Sequence, residues 1–217
     1  MCGRFSLTAQ QEILVKHFGI EQSKEYKPRY NIAPTQQAAI ILDTNPQKMQ
    51  YATWGLIPHW AKDDAISGKL INARVEGIGE KPSFRKPFAS QHCLVLTDGF
   101  YEWKKATPKI PFRIERKDKQ PFAFAGLYEE NKEKQLISFT IITCPPNAVV
   151  AKIHDRMPVI LQPQQYSVWL QTKDKETSLS LLQPCPDDML YCYAVSHLVN
   201  SPSNDSPEVL TPLTTLV

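Results

Sequence analysis

The chain is a succession of short apolar runs separated by polar turns, with no regular alternation of strand and helix. AAIIL (38–42), KMQYATWGL (48–56), HCLVLTD (92–98), FYEWK (100–104) and IPFRIER (110–116) each read as a strand. So do FAFAGLYE (122–129), QLISFTIIT (135–143), MPVIL (157–161) and YCYAVS (191–196). So many strands have many edges, and an exposed edge invites pairing with another chain. A sheet that closes on itself disposes of them. The pattern therefore predicts an α+β fold on a barrel-like antiparallel β-sheet core, with peripheral short helices and long loops. The 217 residues fit one domain, 1–217.

Helices are few. Thr8 and Gln11 have the spacing of a capping box, Ile13, Leu14, Val15 and Phe18 follow, and Gly19 stops the segment, which predicts a helix over 9–18. PPNAVVAKI (145–153) reads as a helix opened by proline, QQYSVWLQ (164–171) as another, and 174–183 as a further one. DTNP (43–46) is a turn joining two strands into a hairpin. Residues 57–90 have little periodicity, and a structureless segment this long in a compact domain is expected to build a site. The tail is rich in Pro, Ser and Asn.

Composition narrows the function classes. Apolar residues are 42% and charged residues 22%, as in a soluble globular protein, and no run approaches a membrane span. MCGRFSLTAQQ lacks the apolar core of a secretory signal, so an intracellular location is expected: cytoplasm or nucleoid in a bacterium, nucleus in a eukaryote. Five cysteines (2, 93, 144, 185 and 192) form no CxxC and read as free thiols. His17, His59, His92 and His197 lack ligand spacing. With no P-loop, dinucleotide fingerprint, GxSxG or HExxH, neither metal nor organic cofactor is expected. A net charge of +3 permits a nucleic-acid partner only if the cations gather on one face.

Cys2 stands out by position. Removal of the initiator Met from a small second residue leaves a 1,2-aminothiol, with an amine pKa of about 7.7–8.0 and a thiol pKa of about 8.5. The amine condenses with an aldehyde and the thiol closes onto the same carbon as a thiazolidine; the alternative is a frayed terminus. Phe5 offers an apolar anchor behind it, and Arg4 either a phosphate contact or a surface ion pair. In INARVE (71–76), Asn72 either positions an amine or caps a turn, and Arg74 either clamps phosphate or pairs with Glu76. Glu102, between Tyr101 and Trp103, is either an acid/base of raised pKa or a solvent-facing strand residue. In HDRMP, Asp155 pairs with Arg156 and leaves His154 available, or His154 is a satisfied histidine in a tight connection. Pro34, Trp54, Trp60, Phe84 and Phe88 lie near Arg29, Arg74, Lys81, Arg85 and Lys86, a mixture suited to stacking bases and holding a backbone, or to core packing.

MCGRF (1–5), YNIAPT (30–35), WGLIPHW (54–60), INARVE (71–76), DGFYEWK (98–104), FAGLYE (124–129), TIIT (140–143), HDRMPV (154–159) and AVSHLVN (194–200) together resemble the SRAP family of abasic-site-processing proteins. The likeness is strongest over 2–212. It implies a covalent, reversible thiazolidine crosslink between Cys2 and the opened sugar of an abasic site in single-stranded DNA. It also implies thiol autopeptidase and weak lyase activities. Cys2 resembles the nucleophile, Asn72 the holder of its amine, Glu102 the acid/base for sugar opening, and His154 the group managing the sugar or thiol proton. Arg4, Pro34, Trp60, Arg74, Arg85 and Arg156 are the implied DNA contacts, with Pro34 and Trp60 excluding a paired 3′ side at a junction. A monomer without membrane contact is expected. Gly77 and Gln91-His92 depart from the family's habit, which makes backbone contacts there less certain. A peptidase acting on protein substrates and a noncovalent single-strand binder are the rival classes.

Overall fold

Five of the apolar runs pair edge to edge until the last meets the first. The computed structural model describes residues 2–213. Its barrel is built from β3 (Gln37–Leu42), β4 (Asn45–Trp54), β6 (His92–Thr97), β9 (Phe122–Asn131) and β10 (Leu136–Cys144). Around the ring β4 pairs β3, β3 pairs β6, β6 pairs β9 and β9 pairs β10, all antiparallel. β10 then closes on β4 in parallel, through Ser138↔Thr53 and Phe139↔Trp54. The sequence predicts an antiparallel barrel, and the parallel seam has a simple cause. Directions cannot alternate all the way around a ring with an odd number of strands.

A second, all-antiparallel sheet lies beside the barrel. It comprises β1 (Phe5–Leu7), β2 (Arg29–Ile32), β7 (Gly99–Lys104), β8 (Ile110–Arg116) and β13 (Leu190–Ala194), in the order β13-β8-β7-β1-β2. Aromatic side chains join the two. Phe5 is fully buried with its ring 5.0 Å from Trp54 and 5.9 Å from Phe124, and Phe100 lies 5.8 Å from Phe124. Burial of one phenyl ring contributes roughly 1.5–3 kcal/mol, enough to hold a three-residue strand in place. The amino-terminal arm is therefore anchored from its fifth residue. Beyond the parallel seam, β5 (Asn72–Arg74) continues along β10, while β11 (Met157–Pro158) pairs β10 and β12 (Ile160–Leu161) pairs β9.

The helices α1 (Gln11–Phe18), α2 (Arg85–Ser90), α3 (Tyr166–Gln171) and α4 (Lys175–Leu181) are short. Gly19 ends α1 in the left-handed conformation, φ 65°, as its position predicts. The capping box does not form. Gln10 is the N-cap and makes no side-chain cap bond, because the Thr8 hydroxyl and the Thr8 and Ala9 N–H groups are all taken by the Asp98 carboxylate. The helix expected over 145–153 shrinks to one 3₁₀ turn, Val150–Lys152. Asn147 Oδ1 accepts from Val150 N–H at 3.0 Å and fixes a turn, and the β-branched Val149 and Val150 add little helical preference. MPVIL divides into two strands at Val159, whose N–H donates to Ile142 on β10 while its carbonyl accepts from Ala125 on β9.

The Asn-rich tail is bound. Asn31 Nδ2 donates to the Ser201 and Asn204 carbonyls at 2.9 and 2.7 Å, and Asp205 accepts from the Tyr30 and Asn31 N–H groups while pairing with Arg29.

Candidate active site at the amino-terminal arm

The four residues expected to carry chemistry converge from four elements. Cys2, at the head of β1, is fully buried, and its carbonyl accepts from Asn72 Nδ2 on β5 at 2.8 Å. Asn72 Oδ1 is buried with no partner. Glu102, on β7, is 2% exposed, and its Oε1 is likewise buried without a partner. His154, in the turn after β10, places Nε2 3.9 Å from Glu102 Oε2. Its Nδ1 lies 3.1 Å from the Arg156 N–H and 3.1 Å from the Asp155 carboxylate. The imidazole thus turns Nε2 toward Glu102 and Nδ1 toward the Arg156 backbone and Asp155.

Burial sets the proton affinities. Taking the Glu102 carboxyl out of water, with the negative charge of Asp155 nearby, raises its pKa to about 7. That suits a group that must both give and take a proton near neutrality. Burial and the Glu102 carboxylate push the Cys2 thiol far above its ordinary value, so it is held as a thiol. Burial also lowers the His154 imidazole. While Met1 remains attached, the Cys2 nitrogen is an amide; the aminothiol requires its removal.

The expected DNA contacts meet different fates. Arg74 is exposed on β5, two residues beyond Asn72 and so on the same face of the strand. Trp60 is 49% exposed and lines a surface hollow of about 410 Å³ with Lys62, Ile66 and Lys69. Pro34 is half-buried in the connection between β2 and β3. Arg85 is exposed at the start of α2, which packs on β9, and no bond links it to the four central residues.

Arg4 and Arg156 are committed to protein partners. Arg4 is nearly buried, its Nη1 donates to Asn31 Oδ1 at 2.7 Å and to Val199 O at 2.6 Å, and its guanidinium lies 5.8 Å over Trp103. Arg156 forms a two-pronged pair with Glu76, at 2.6 and 2.9 Å, and donates to Thr143 O at 2.6 Å. Two expected pairings are replaced: Glu76 pairs with Arg156 and not with Arg74, and Asp155 faces His154 and not Arg156. Trp54, Phe84 and Phe88 are buried and belong to the core.

Sequence reasoning passed over Asn31 and Asp205, and gave Glu76 and Trp103 other neighbours than Arg156 and Arg4. Asn31 and Glu76 stand inside quoted motifs, but their partners are distant in sequence: Arg156 is 80 positions from Glu76, and Asn204 is 173 from Asn31. The larger hollow of about 630 Å³ beside α1 is lined by Glu12, Ile13, Lys16, His17, Gln120 and Pro163, and contains none of the four. Among the described residues, no three His, Cys, Asp or Glu side chains converge as metal ligands, and no helix is long and apolar enough to cross a membrane.

The architecture is thus a closed five-stranded barrel beside an amino-terminal arm whose second residue is a buried cysteine. The chain belongs to the SOS response associated peptidase (SRAP) family, which it matches over residues 1–202. It is 48% identical to the abasic site processing protein YoqW of Bacillus subtilis, over 97% of this chain and 99% of that protein. It is 29% identical to the abasic site processing protein YedK of Escherichia coli, over 98% of this chain and all of that one. A crystal structure of a protein from Bacteroides thetaiotaomicron superposes with a TM-score of 0.86 at 28% identity, covering 97% of this chain and 99% of that chain.

Proposed function

We propose that this chain is an abasic-site processing protein that captures the lesion aldehyde in single-stranded DNA through Cys2 once Met1 has been removed. The observation that carries this reading is the convergence of Asn72, Glu102 and His154 on a buried, anchored second residue. Glu102 and His154 shuttle the proton that opens the cyclic sugar to its aldehyde. The Cys2 amine attacks that carbon, water leaves and an imine remains. The thiol adds across the imine carbon and its proton passes to the nitrogen, closing a five-membered thiazolidine. The closure is intramolecular and gains from proximity. Asn72, bonded to the Cys2 carbonyl, orients the amine. In this reading the exposed Arg74 and Trp60 hold the strand.

The reaction joins protein and DNA with loss of one water. Its reversal, helped by Glu102, returns both intact. The chain acts as a single domain inside the cell, and processing of Met1 by the site's own thiol and lyase turnover are secondary activities. Intact mass before and after incubation with an oligonucleotide bearing one abasic site tests the reading. The expected result is a starting mass without Met1 and a denaturation-resistant adduct of protein plus DNA minus water, lost in Cys2→Ala. A protein lacking Met1 that forms no adduct overturns it, and cleavage of added peptides would then favour a peptidase.

A further inference from the structure

Two of the cations expected to hold a DNA strand also bond within the fold. Arg4 is tied to Asn31 and Val199, and Arg156 to Glu76 and Thr143. Both guanidinium groups have a buried Nε without a partner. A strand lying over Cys2 still needs its phosphates neutralised. The β7–β8 hairpin supplies charge that forms no ion pair among the described residues.

Its geometry follows from β7. Side chains alternate along a strand, so Lys104 projects from the same face as Glu102, roughly 7 Å further along. Lys104↔Ile110 is the last register pair, so residues 105–109 form the loop that closes the hairpin. All of residues 104–109 are exposed, and the segment KKATPK has three lysines and no carboxylate. Lys104, Lys105 and Lys109 form no ion pair among the described residues, whereas Lys86, Lys119, Lys134 and Lys173 each face a carboxylate. Lys105 lies near enough to His154 for its charge to oppose protonation of the imidazole. Arg74, on β5, is exposed on the strand whose Asn72 holds Cys2, and its charge also acts on the Glu76 carboxylate. The site therefore draws residues from two strands that carry exposed cations, Arg74 on β5 and the three-lysine hairpin that follows Glu102 on β7.

We propose that the β7–β8 hairpin, through Lys104, Lys105 and Lys109, binds the phosphate backbone of the single strand that enters the Cys2 site. This rests on the reading of the site as one that acts on DNA. The hairpin contacts are sequence-independent and electrostatic, so their signature is the dependence of affinity on salt. Each phosphate contact on a single strand adds about 0.7 to the slope of log K against log salt.

The test compares wild type, the triple variant Lys104→Ala/Lys105→Ala/Lys109→Ala, and a control of equal charge change, Lys16→Ala/Lys24→Ala/Lys48→Ala, whose lysines are exposed elsewhere. Binding of an undamaged single-stranded oligonucleotide is measured from about 50 to 200 mM NaCl, a range over which phosphate contacts change affinity strongly. The hairpin variant is expected to lose about 2 from the slope and at least about tenfold in affinity at the lowest salt. The control is expected to retain both. A slope unchanged in the hairpin variant, or reduced equally in the control, overturns the proposal. Thermal midpoints show that all three proteins are folded. Adduct formation by wild type with an abasic oligonucleotide is scored separately. Its absence would overturn the reading of the site, while an unmoved slope with normal adduct formation would overturn the hairpin alone.

Discussion

Glu102 is placed where a carboxylate is costly, and the cost is measurable. Its carboxyl ionises near 4.5 in an ordinary setting and about 7 in the fold. A raised carboxyl pKa means the folded state retains its proton longer than the unfolded one. The associated stability is therefore present below about pH 4.5 and is lost as pH rises through about 7, a difference of roughly 3 kcal/mol. Glu102→Gln is expected to raise the thermal midpoint at pH 8, with the gain vanishing toward pH 4.5. The same substitution should slow adduct formation by about 10²-fold or more, the usual range for loss of an acid/base. Thermal scans across pH, with single-turnover capture at pH 7, check both. Phe5 acts at the same scale by packing. Phe5→Ala is expected to cost about 3–5 kcal/mol in urea unfolding, because the ring that it removes contacts both Trp54 and Phe124.

At the scale of elements, Gly55 shows why the long segment after β4 takes its path. Its φ is 130°, and a Cβ there would stand 2.4 Å from the Ser67 carbonyl oxygen, so the backbone of residues 55 and 67 touches directly. Gly55→Ala is expected to destabilise by about 1–3 kcal/mol and to move the loop that carries Trp60, visible as a change in tryptophan emission. The alternating and apolar runs that became β3, β6, β8, β9 and β10 were legible to within a residue or two, because burial and period 2 reinforce each other there. β1, β2 and β5 were not. They are three or four residues long, too short for any period to show, and each exists because a neighbouring strand offers an edge. The same division separates the site residues. Cys2, Asn72, Glu102 and His154 were legible from motif and chemistry, and the structure brings them together. The engagements of Arg4 and Arg156 were not, because charge alone does not tell a phosphate ligand from a partner for Asn31 or Glu76.

At the scale of the whole molecule, the two chain ends support one another. Residues 200–205 hold Arg29, Asn31 and, through Val199, the Arg4 that follows the nucleophile. Removing everything after residue 202 should therefore lower the melting midpoint by roughly 5–10 °C, read by calorimetry, and slow capture as well. The parallel seam of the barrel has a consequence in time. It joins Trp54 to Phe139, and His154 follows later still, so neither ring nor site exists until most of the chain has left the ribosome. At roughly 5–20 residues per second, about 150 residues separate the emergence of Cys2 from that of His154 by some 8–30 s. The second residue thus spends its first seconds outside the pocket that will enclose it.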